Sequence, residues 1–307
     1  MRYAIIGGSG FVGGALAAHL RQDGHEVLIV TRAPPKGENV IRWEAKRGFS
    51  DPARMEGLDA VFHLGGAPLA TRPWTRRRRR VLKESRVDTT AQLVTSLGQL
   101  DARPPAFIGV SATGFYGDCG ERVLDERDGP GDGFLSGLAQ AWEEAHMGAQ
   151  QIGCRVAVLR MSPVLAPQGG PFPLLLRPFR VMPGWVGNGQ QWNGWISIRD
   201  SVAGLRHLAN PEIGCEGVYN GTVPDPVRNR DWCEALGKVL SRRVYTHAPK
   251  WVVRGAFGDL ANELLLASMR VVPRRLVDSG YSFLDTDPEP TFRWLVDSIG
   301  RPDGGVT

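Results

Sequence analysis

Tyr3-Ala4-Ile5-Ile6-Gly7-Gly8-Ser9-Gly10-Phe11-Val12-Gly13 is a short apolar run that stops at a glycine turn. Ala15-Leu16-Ala17-Ala18-His19-Leu20 then continues as a helix. The order is strand, glycine turn, helix. In such a unit Gly7 makes the tight turn, Gly10 lets the backbone approach a pyrophosphate, and Gly13 lets the helix pack closely on the strand. The N–H groups at the helix N-terminus are then free to meet an anion. A second apolar run, Glu26-Val27-Leu28-Ile29-Val30, follows at the interval a βαβ unit demands.

An acidic residue at the end of that second strand would accept hydrogen bonds from the adenosine ribose of NAD, but this chain has Thr31-Arg32. A guanidinium there suits a 2′-phosphate, so the expected cofactor is NADP(H), the alternative being that Arg32 is a solvated loop cation. Further apolar runs at Ala60-Val61-Phe62-His63-Leu64, Phe107-Ile108-Gly109-Val110-Ser111 and Arg155-Val156-Ala157-Val158-Leu159-Arg160 alternate with helical stretches. That alternation predicts an α/β fold, a doubly wound parallel sheet covered on both faces. Ligands of such sheets sit beyond the carboxyl ends of the strands, so 63–66, 111–116 and 161–164 are expected to line one crevice.

Composition agrees. The chain has 307 residues, 42% hydrophobic and 22% charged, with a net charge of +5. Disordered, fibrous and membrane-spanning classes are excluded, and one large or two unequal domains are expected. No window approaches the roughly 20 apolar residues of a bilayer span. The opening run ends too soon to suggest a secretory leader. The four cysteines, Cys119, Cys154, Cys215 and Cys233, show no metal-ligand spacing, so no metal is expected and a reduced, cytoplasmic setting is.

These motifs resemble the short-chain dehydrogenase/reductase superfamily, in its extended branch, and within it an atypical epimerase family group. The resemblance runs over nearly the whole chain. It rests on the glycine turn, Leu64-Gly65-Gly66-Ala67, Trp74-Thr75, Ser85-Arg86, Ser111-Ala112-Thr113-Gly114-Phe115-Tyr116-Gly117, Glu126, Trp142-Glu143, Gly187-Asn188-Gly189-Gln190-Gln191-Trp192, Trp195-Ile196, Asp200 and Gly217-Val218-Tyr219-Asn220. It implies a Rossmann domain for NADP(H) and a small C-terminal domain of undefined function. Where members of the group tend to carry Asn and a Trp-Ile-His run, this chain has His63 and Ser197.

The superfamily works through a Tyr-x-x-x-Lys pair in which the ammonium lowers the phenol pKa. Four positions after Tyr3, Tyr116, Tyr219, Tyr245 and Tyr281 stand Gly7, Gly120, Val223, Pro249 and Asp285, so this chain has no such pair. The candidate catalytic groups are Ser111, at a strand end where the superfamily places its Ser/Thr, and Tyr116 in the same loop. The alternatives are that Ser111 only bonds cofactor or turn backbone, and that Tyr116 caps the pocket.

Arg76 to Arg80 look like a nucleic-acid patch, but helical spacing puts Val81, Leu82, Ser85 and Val87 inward and fans the arginines around a solvated helix. Between Pro163 and Asp200 the wealth of Pro, Gly and aromatics predicts an irregular excursion over the crevice. Trp192 and Trp195 there are either core or substrate wall. A helix is expected from Asp231 to Leu240 and another near Gly255 to Met269, with Arg270, Arg274 and Arg275 on the surface. The domains are placed at 1–230 for the Rossmann unit and 231–307 for a small mixed lobe. The expected cofactor contacts are Gly7, Gly10, Phe11, Val12, Gly13, Thr31, Arg32, Leu64, Gly65, Gly66, Arg86, Ser111 and Met161. Trp74, Gln191, Trp192 and Trp195 are expected to meet the substrate. The expected activity is an NADP(H)-dependent oxidoreductase or epimerase-like conversion of a small molecule, its rival a cofactor-binding sensor without turnover. Nucleic acid and membrane are not expected partners, and the chain is compatible with a homodimer.

Overall fold

The protein is described from a computed structural model covering residues 1–34, 37–69 and 72–299. In chain order its first elements are β1 (Arg2–Ile6), α1 (Phe11–Gln22), β2 (Glu26–Thr31), β3 (Val40–Glu44), β4 (Gly48–Phe49) and β5 (Ala60–His63). There follow α2 (Arg76–Lys83), α3 (Thr89–Gly98), β6 (Ala106–Ala112), β7 (Val123–Leu124), α4 (Phe134–Met147), β8 (Arg155–Met161), α5 (Phe172–Val181) and α6 (Ile198–Ala209). The last strand of the main sheet is Gly217–Gly221, and α7 (Asn229–Val239), α8 (Lys250–Phe257), α9 (Arg274–Asp278) and α10 (Pro288–Asp297) complete the chain.

The central sheet has eight strands in the order Gly217–Gly221, β8, β6, β5, β1, β2, β3, β4. All neighbours are parallel except the β3–β4 pair. The expected doubly wound sheet is therefore present, and its apolar runs are buried on both faces. Ile5, Phe62, Ile108 and Leu159 pack on one side with Leu16, Leu20 and Leu205, while Val61, Phe107, Val156 and Val158 pack on the other with Leu93 and Leu97. Strands buried on both faces read as unbroken hydrophobic stretches, which is why the sequence shows them plainly.

Three details depart from the sequence reading. The excursion after Pro163 contains a regular helix, α5, despite Pro173 in its first turn and Pro178 within it. Pro173 costs nothing where an N–H would be unpaired, and Pro178 lies on the exposed side. The helix expected near Gly255 is instead α8, which stops at Gly258 (φ +56°), followed by one wide turn at Ala261–Leu265. Val81 is 38% exposed, so Leu82 alone of that pair faces inward.

The small lobe is not a linear segment. Its core joins Leu165, Phe172, Leu176, Phe179 and Trp195 from before residue 230 to Trp232, Leu236, Phe292 and Leu295 from after it. Two carboxylates, Asp200 buried and Glu126 half-buried, bind this lobe to the sheet domain. Asp200 Oδ1 accepts from Tyr281 Oη (2.9 Å) and Leu284 N (2.8 Å), and its Oδ2 from Asp285 N (2.9 Å). Glu126 accepts from Asn220 N (2.8 Å) and Arg275 N (3.3 Å). The arginines expected on the surface are clamps as well. Arg275 donates to the carbonyls of Val218 and Glu216, and Arg274 pairs with Asp125.

Asp200→Ala removes the acceptor of the Leu284 and Asp285 N–H groups, the second of them buried, and a buried donor left unpaired costs about 1–3 kcal/mol. Urea unfolding should show a loss of at least about 2 kcal/mol for Asp200→Ala, with Asp200→Asn intermediate.

Candidate active site

The glycine turn is built by close backbone approach. Gly7 has φ +85°, and a Cβ at Gly13 would lie 2.3 Å from the Gly7 carbonyl oxygen. A Cβ on Gly7 would meet Gly65 N at 3.0 Å, so β1, α1 and the turn after β5 converge on this residue. Gly10 caps α1 without a side-chain hydrogen bond, leaving the first N–H groups of the helix to face the crevice. Ser9, Gly10 and Phe11 are exposed, and Val12 is half-buried. The Phe11 ring is overlaid by Gly169 and Gly170, where added Cβ atoms would come within 2.7–2.8 Å of it. Arg32 is exposed at the end of β2, and Thr31 Oγ1 accepts from Ala33 N.

On the other side of the crevice, α2 runs into α3 through one wide turn at Glu84–Asp88 with helical dihedrals on both sides, so 76–98 is one helix with a π-type bulge. Such bulges recur at functional sites. Here the bulge delivers Ser85 and Arg86 to the turn after β5. Ser85 Oγ accepts from Ala67 N (3.1 Å), and Arg86 Nη1 donates to Ala67 O (3.0 Å). The Arg86 guanidinium lies against Gly66, with its Cζ 4.9 Å from the centre of the Trp142 ring. It is only 7% exposed, and among the described residues no carboxylate pairs with it. Burial, and Arg78 after it, lower its pKa to about 10.

Under Gly65 lies a pair of buried histidines. His63 Nδ1 is 3.1 Å from His146 Nε2 and 3.2 Å from Thr90 Oγ1. Thr90 gives its single proton to the Arg86 carbonyl and accepts from Trp142 Nε1. Proton counting therefore assigns the hydrogen of His63 to Nδ1 and leaves Nε2 as a buried acceptor without a partner. Burial first and Arg86 second lower the His63 pKa from 6.5 to about 3, and burial lowers that of His146. Both rings are neutral, His63 packing under Gly65 and His146 against Gly109.

Ser111, on β6 with Gly109 and Phe107 on the face toward α4, is 4% exposed, and its Oγ has no hydrogen-bond partner among the described residues. Tyr116 is arranged differently. It is 1% exposed, its hydroxyl lies 3.0 Å from Asp125 O and 2.9 Å from Asn220 Oδ1, and it accepts from Arg160 Nη1 (2.9 Å). Burial pushes its pKa up to about 12. Arg160 completes this knot through a forked pair with Glu143 on α4, at 2.8 and 2.7 Å. The phenol of Tyr116 is thus saturated by its own neighbours, unlike the Ser111 hydroxyl with which it was expected to share the reaction.

The four expected substrate residues have different surroundings. Trp195 is 2% exposed in the core of the lobe near Phe292. Gln191 Nε2 donates to Val186 O and Leu265 O, tying two segments together. Trp192 lies between the guanidinium groups of Arg228 and Arg270, 4.1 and 4.3 Å from its ring, with its indole N–H on Glu121. Trp74 packs edge-on to Phe134 beside the α2 end of the crevice. Leu64, Gly65 and Met161 are half-buried and Gly66 exposed at the strand ends, as a crevice lining requires. Thr90, His146, Arg160 and Glu143 went unnoticed as a group because their contacts span long separations in the chain.

A parallel sheet with a glycine turn at α1 and an open rim of strand ends defines a dinucleotide-binding Rossmann protein of the short-chain dehydrogenase/reductase type. Residues 3–220 match the NAD-dependent epimerase/dehydratase family, and residues 248–295 match a domain of unknown function, DUF1731. The chain belongs to the NAD-dependent epimerase/dehydratase family. An epimerase family protein of Mycobacterium bovis is 38% identical over 282 residues, 91% of this chain and 92% of its own. The crystal structure of human epimerase family protein SDR39U1 with NADPH superposes with a TM-score of 0.88 at 30% identity, over 97% of this chain and 99% of that one. A nucleoside-diphosphate sugar epimerase from Corynebacterium glutamicum superposes with a TM-score of 0.78 at 31% identity, over 96% of this chain and 58% of that one.

The histidine pair gives a pH dependence of definite sign. Unfolded histidines take up protons below about 6.5, whereas His63 in the fold does so only near 3. Stability is therefore complete above the first value and is lost as pH falls toward the second, with a slope of up to about 1.4 kcal/mol per unit for each histidine. Urea midpoints across that window should fall less steeply for His63→Asn than for the wild type.

Proposed function

We propose that the protein is an NADP(H)-dependent oxidoreductase or epimerase-like enzyme for a small molecule, in which Ser111 holds the reacting oxygen and no Tyr–Lys pair takes part. The observation that carries this reading is the Ser111 hydroxyl, buried at a strand end and without a hydrogen-bond partner among the described residues. A substrate oxygen would satisfy it. Bound NADP(H) would supply hydride transfer at this rim. The chain's part is to hold the cofactor's phosphates at Gly7 to Gly13 and the α1 N-terminus, to meet a 2′-phosphate with Arg32, and to set Arg86 as a fixed positive charge beside the Gly65-Gly66 turn. The similar human protein solved with NADPH supports this choice of cofactor.

The saturated phenol of Tyr116 favours a second reading, a protein that binds NADP(H) and senses it without turnover, because no side chain in the crevice is placed as a proton donor of suitable pKa. Sustained NADPH oxidation over a panel of carbonyl substrates supports the enzyme. Tight binding with no oxidation across the panel supports the sensor.

Titration calorimetry should show NADPH binding more tightly than NADH. Arg32→Asp should reduce NADPH affinity by about tenfold or more, through loss of a charge-assisted contact, while leaving NADH nearly unchanged. Equal wild-type affinities would remove the role given to Arg32.

With a substrate in hand, Ser111→Ala should retain NADPH binding and lose on the order of 10²–10³ in rate, as when an oriented donor is removed. Tyr116→Phe should instead lower stability by about 1–3 kcal/mol, by stranding Arg160 and Asn220, with little effect on rate. Calorimetry, steady-state kinetics and urea unfolding on the two variants separate these roles.

A further inference from the structure

The buried Arg86 guanidinium has donors to spare. Its Nη1 donates to Ala67 O at 3.0 Å and to Leu82 O at 3.5 Å, while its Nε and Nη2 hydrogens have no acceptor among the described residues. No acid is held in reserve for it there. Glu143, next to Trp142 on α4, is engaged with Arg160, and Glu84 lies near Arg80. A Cβ on Gly66 would stand 3.0 Å from the Arg86 Cζ, and Gly66 is exposed, so glycine at this position leaves the guanidinium within reach of the crevice.

Arg86 and Ser111 share one corner of the rim. His63 pairs in register with Gly109, and Ser111 is two residues beyond Gly109 on the same face. A Cβ on Gly109 would meet the His146 ring at 2.8 Å, so this face looks at α4. The first turn of α4 is fastened to the turn after β6, with Ser136 Oγ 2.7 Å from Phe115 O. The helix therefore runs inward from the rim, and Trp142 is one turn nearer the rim than His146. The Arg86 Cζ is 4.9 Å from the centre of that indole, and its charge opposes protonation of His63 below. The unpartnered Ser111 hydroxyl and the guanidinium thus lie rimward of the histidine pair, on the α4 side.

The sheet order sets this corner apart from the cofactor's phosphates. Neighbouring strands run β2, β1, β5, β6, about 4.8 Å from one to the next. With the pyrophosphate at α1 and the 2′-phosphate at Arg32 after β2, the nicotinamide half extends toward β5 and β6, where NADP(H) carries no further phosphate. A buried charge without a counter-charge is costly, and an anion arriving there relieves it. We propose that the substrate is a small oxo acid or hydroxy acid whose carboxylate pairs with Arg86 while its reacting oxygen meets Ser111. The NADP(H)-dependent chemistry proposed above underlies this assignment, which moves Arg86 from the expected cofactor contacts to the substrate. A phosphate is the competing anion. Arg86 is only 7% exposed, and a carboxylate monoanion gives up less hydration on entering such a place than a phosphate dianion does. The carboxylate also matches the planar fork of the guanidinium.

The test is calorimetric titration of the full chain saturated with NADP+, so that the cofactor's phosphates are already seated, with lactate and mandelate and with the amide of each. At least one acid should bind about tenfold or more tighter than its amide. Arg86→Gln should abolish that preference and change NADP+ affinity by less than about twofold, with Arg86→Lys, which keeps the charge and loses the fork, intermediate. Comparing acid with amide needs only the wild type, so it holds even where a variant fails to fold. Acids and amides that bind alike, a variant that keeps the preference, or inorganic phosphate binding more tightly than either acid would overturn the assignment. So would an Arg86→Gln protein of unchanged urea midpoint that no longer binds NADP+. NADPH oxidation tells failure of the enzyme reading apart from failure of this one. Acid-selective, Arg86-dependent binding with no oxidation by the matching oxo acids, pyruvate and phenylglyoxylate, supports the site and not the enzyme. Oxidation by neutral carbonyls with no preference for acids supports the enzyme and overturns the site.

Discussion

The backbone at Gly7 is where the architecture closes. Its carbonyl oxygen lies so near α1 that a Cβ at Gly13 would stand 2.3 Å away, and its own missing Cβ makes room for Gly65 at 3.0 Å. Three backbones thus meet with no side chain between them. That approach brings the N-terminus of α1 and the turn after β5 to one rim, where the peptide dipoles of the helix favour an anion. A side chain at Gly7 or Gly13 would separate the first helix from the sheet and dissolve the rim with it.

Around that rim, buried charge is used as a fastener. Glu143 on α4 and Arg160 on β8 form a forked pair that also fixes Tyr116, and Asp200 and Glu126 gather backbone N–H groups of the C-terminal lobe. A buried ion pair adds little net stability over apolar packing, but removing one partner is costly, since the other is then left unpaired. Each of these groups therefore penalises any other placement of its partner. Arg86 is the exception. It is buried as deeply as Arg160, yet it has a carbonyl and an indole face where Arg160 has a carboxylate. A guanidinium in that condition is a ready place for an anion.

The π-type turn at Glu84–Asp88 explains how Arg86 reaches its place. An uninterrupted α-helix would carry that residue round the helix relative to the preceding turns, whereas the extra residue in the bulge presents Ser85 and Arg86 together to the Ala67 backbone. The motifs of the resemblance thus divide into those that hold the crevice open and those that hold the two lobes together. Glu126 and Asp200 are of the second kind, whereas Tyr116 and Glu143 tie together elements of the sheet domain itself.

What the sequence determined by itself is whatever is local or periodic. The glycine turn, the parallel strands and their order of alternation with helices were legible because a strand buried on both faces must be apolar throughout and a left-handed turn must be glycine. The lack of a Tyr-x-x-x-Lys pair was likewise a matter of counting. Only the tertiary structure decided the work of individual polar and aromatic residues. Ser111 near the end of β6 and Tyr116 in the turn after it stand five positions apart, yet one hydroxyl has three neighbours in hydrogen-bond range and the other has none among the described residues. Trp192 and Trp195 are three positions apart, the first beside two arginines and the second inside a hydrophobic core. Apart from the Asp125 carbonyl nine positions on, the partners of Tyr116 come from 44 and 104 positions away, and the arginines on Trp192 from 36 and 78. Hydrogen bonding and burial depend on what the fold brings within about 3–4 Å, and that distance is not written in the spacing of residues along a chain.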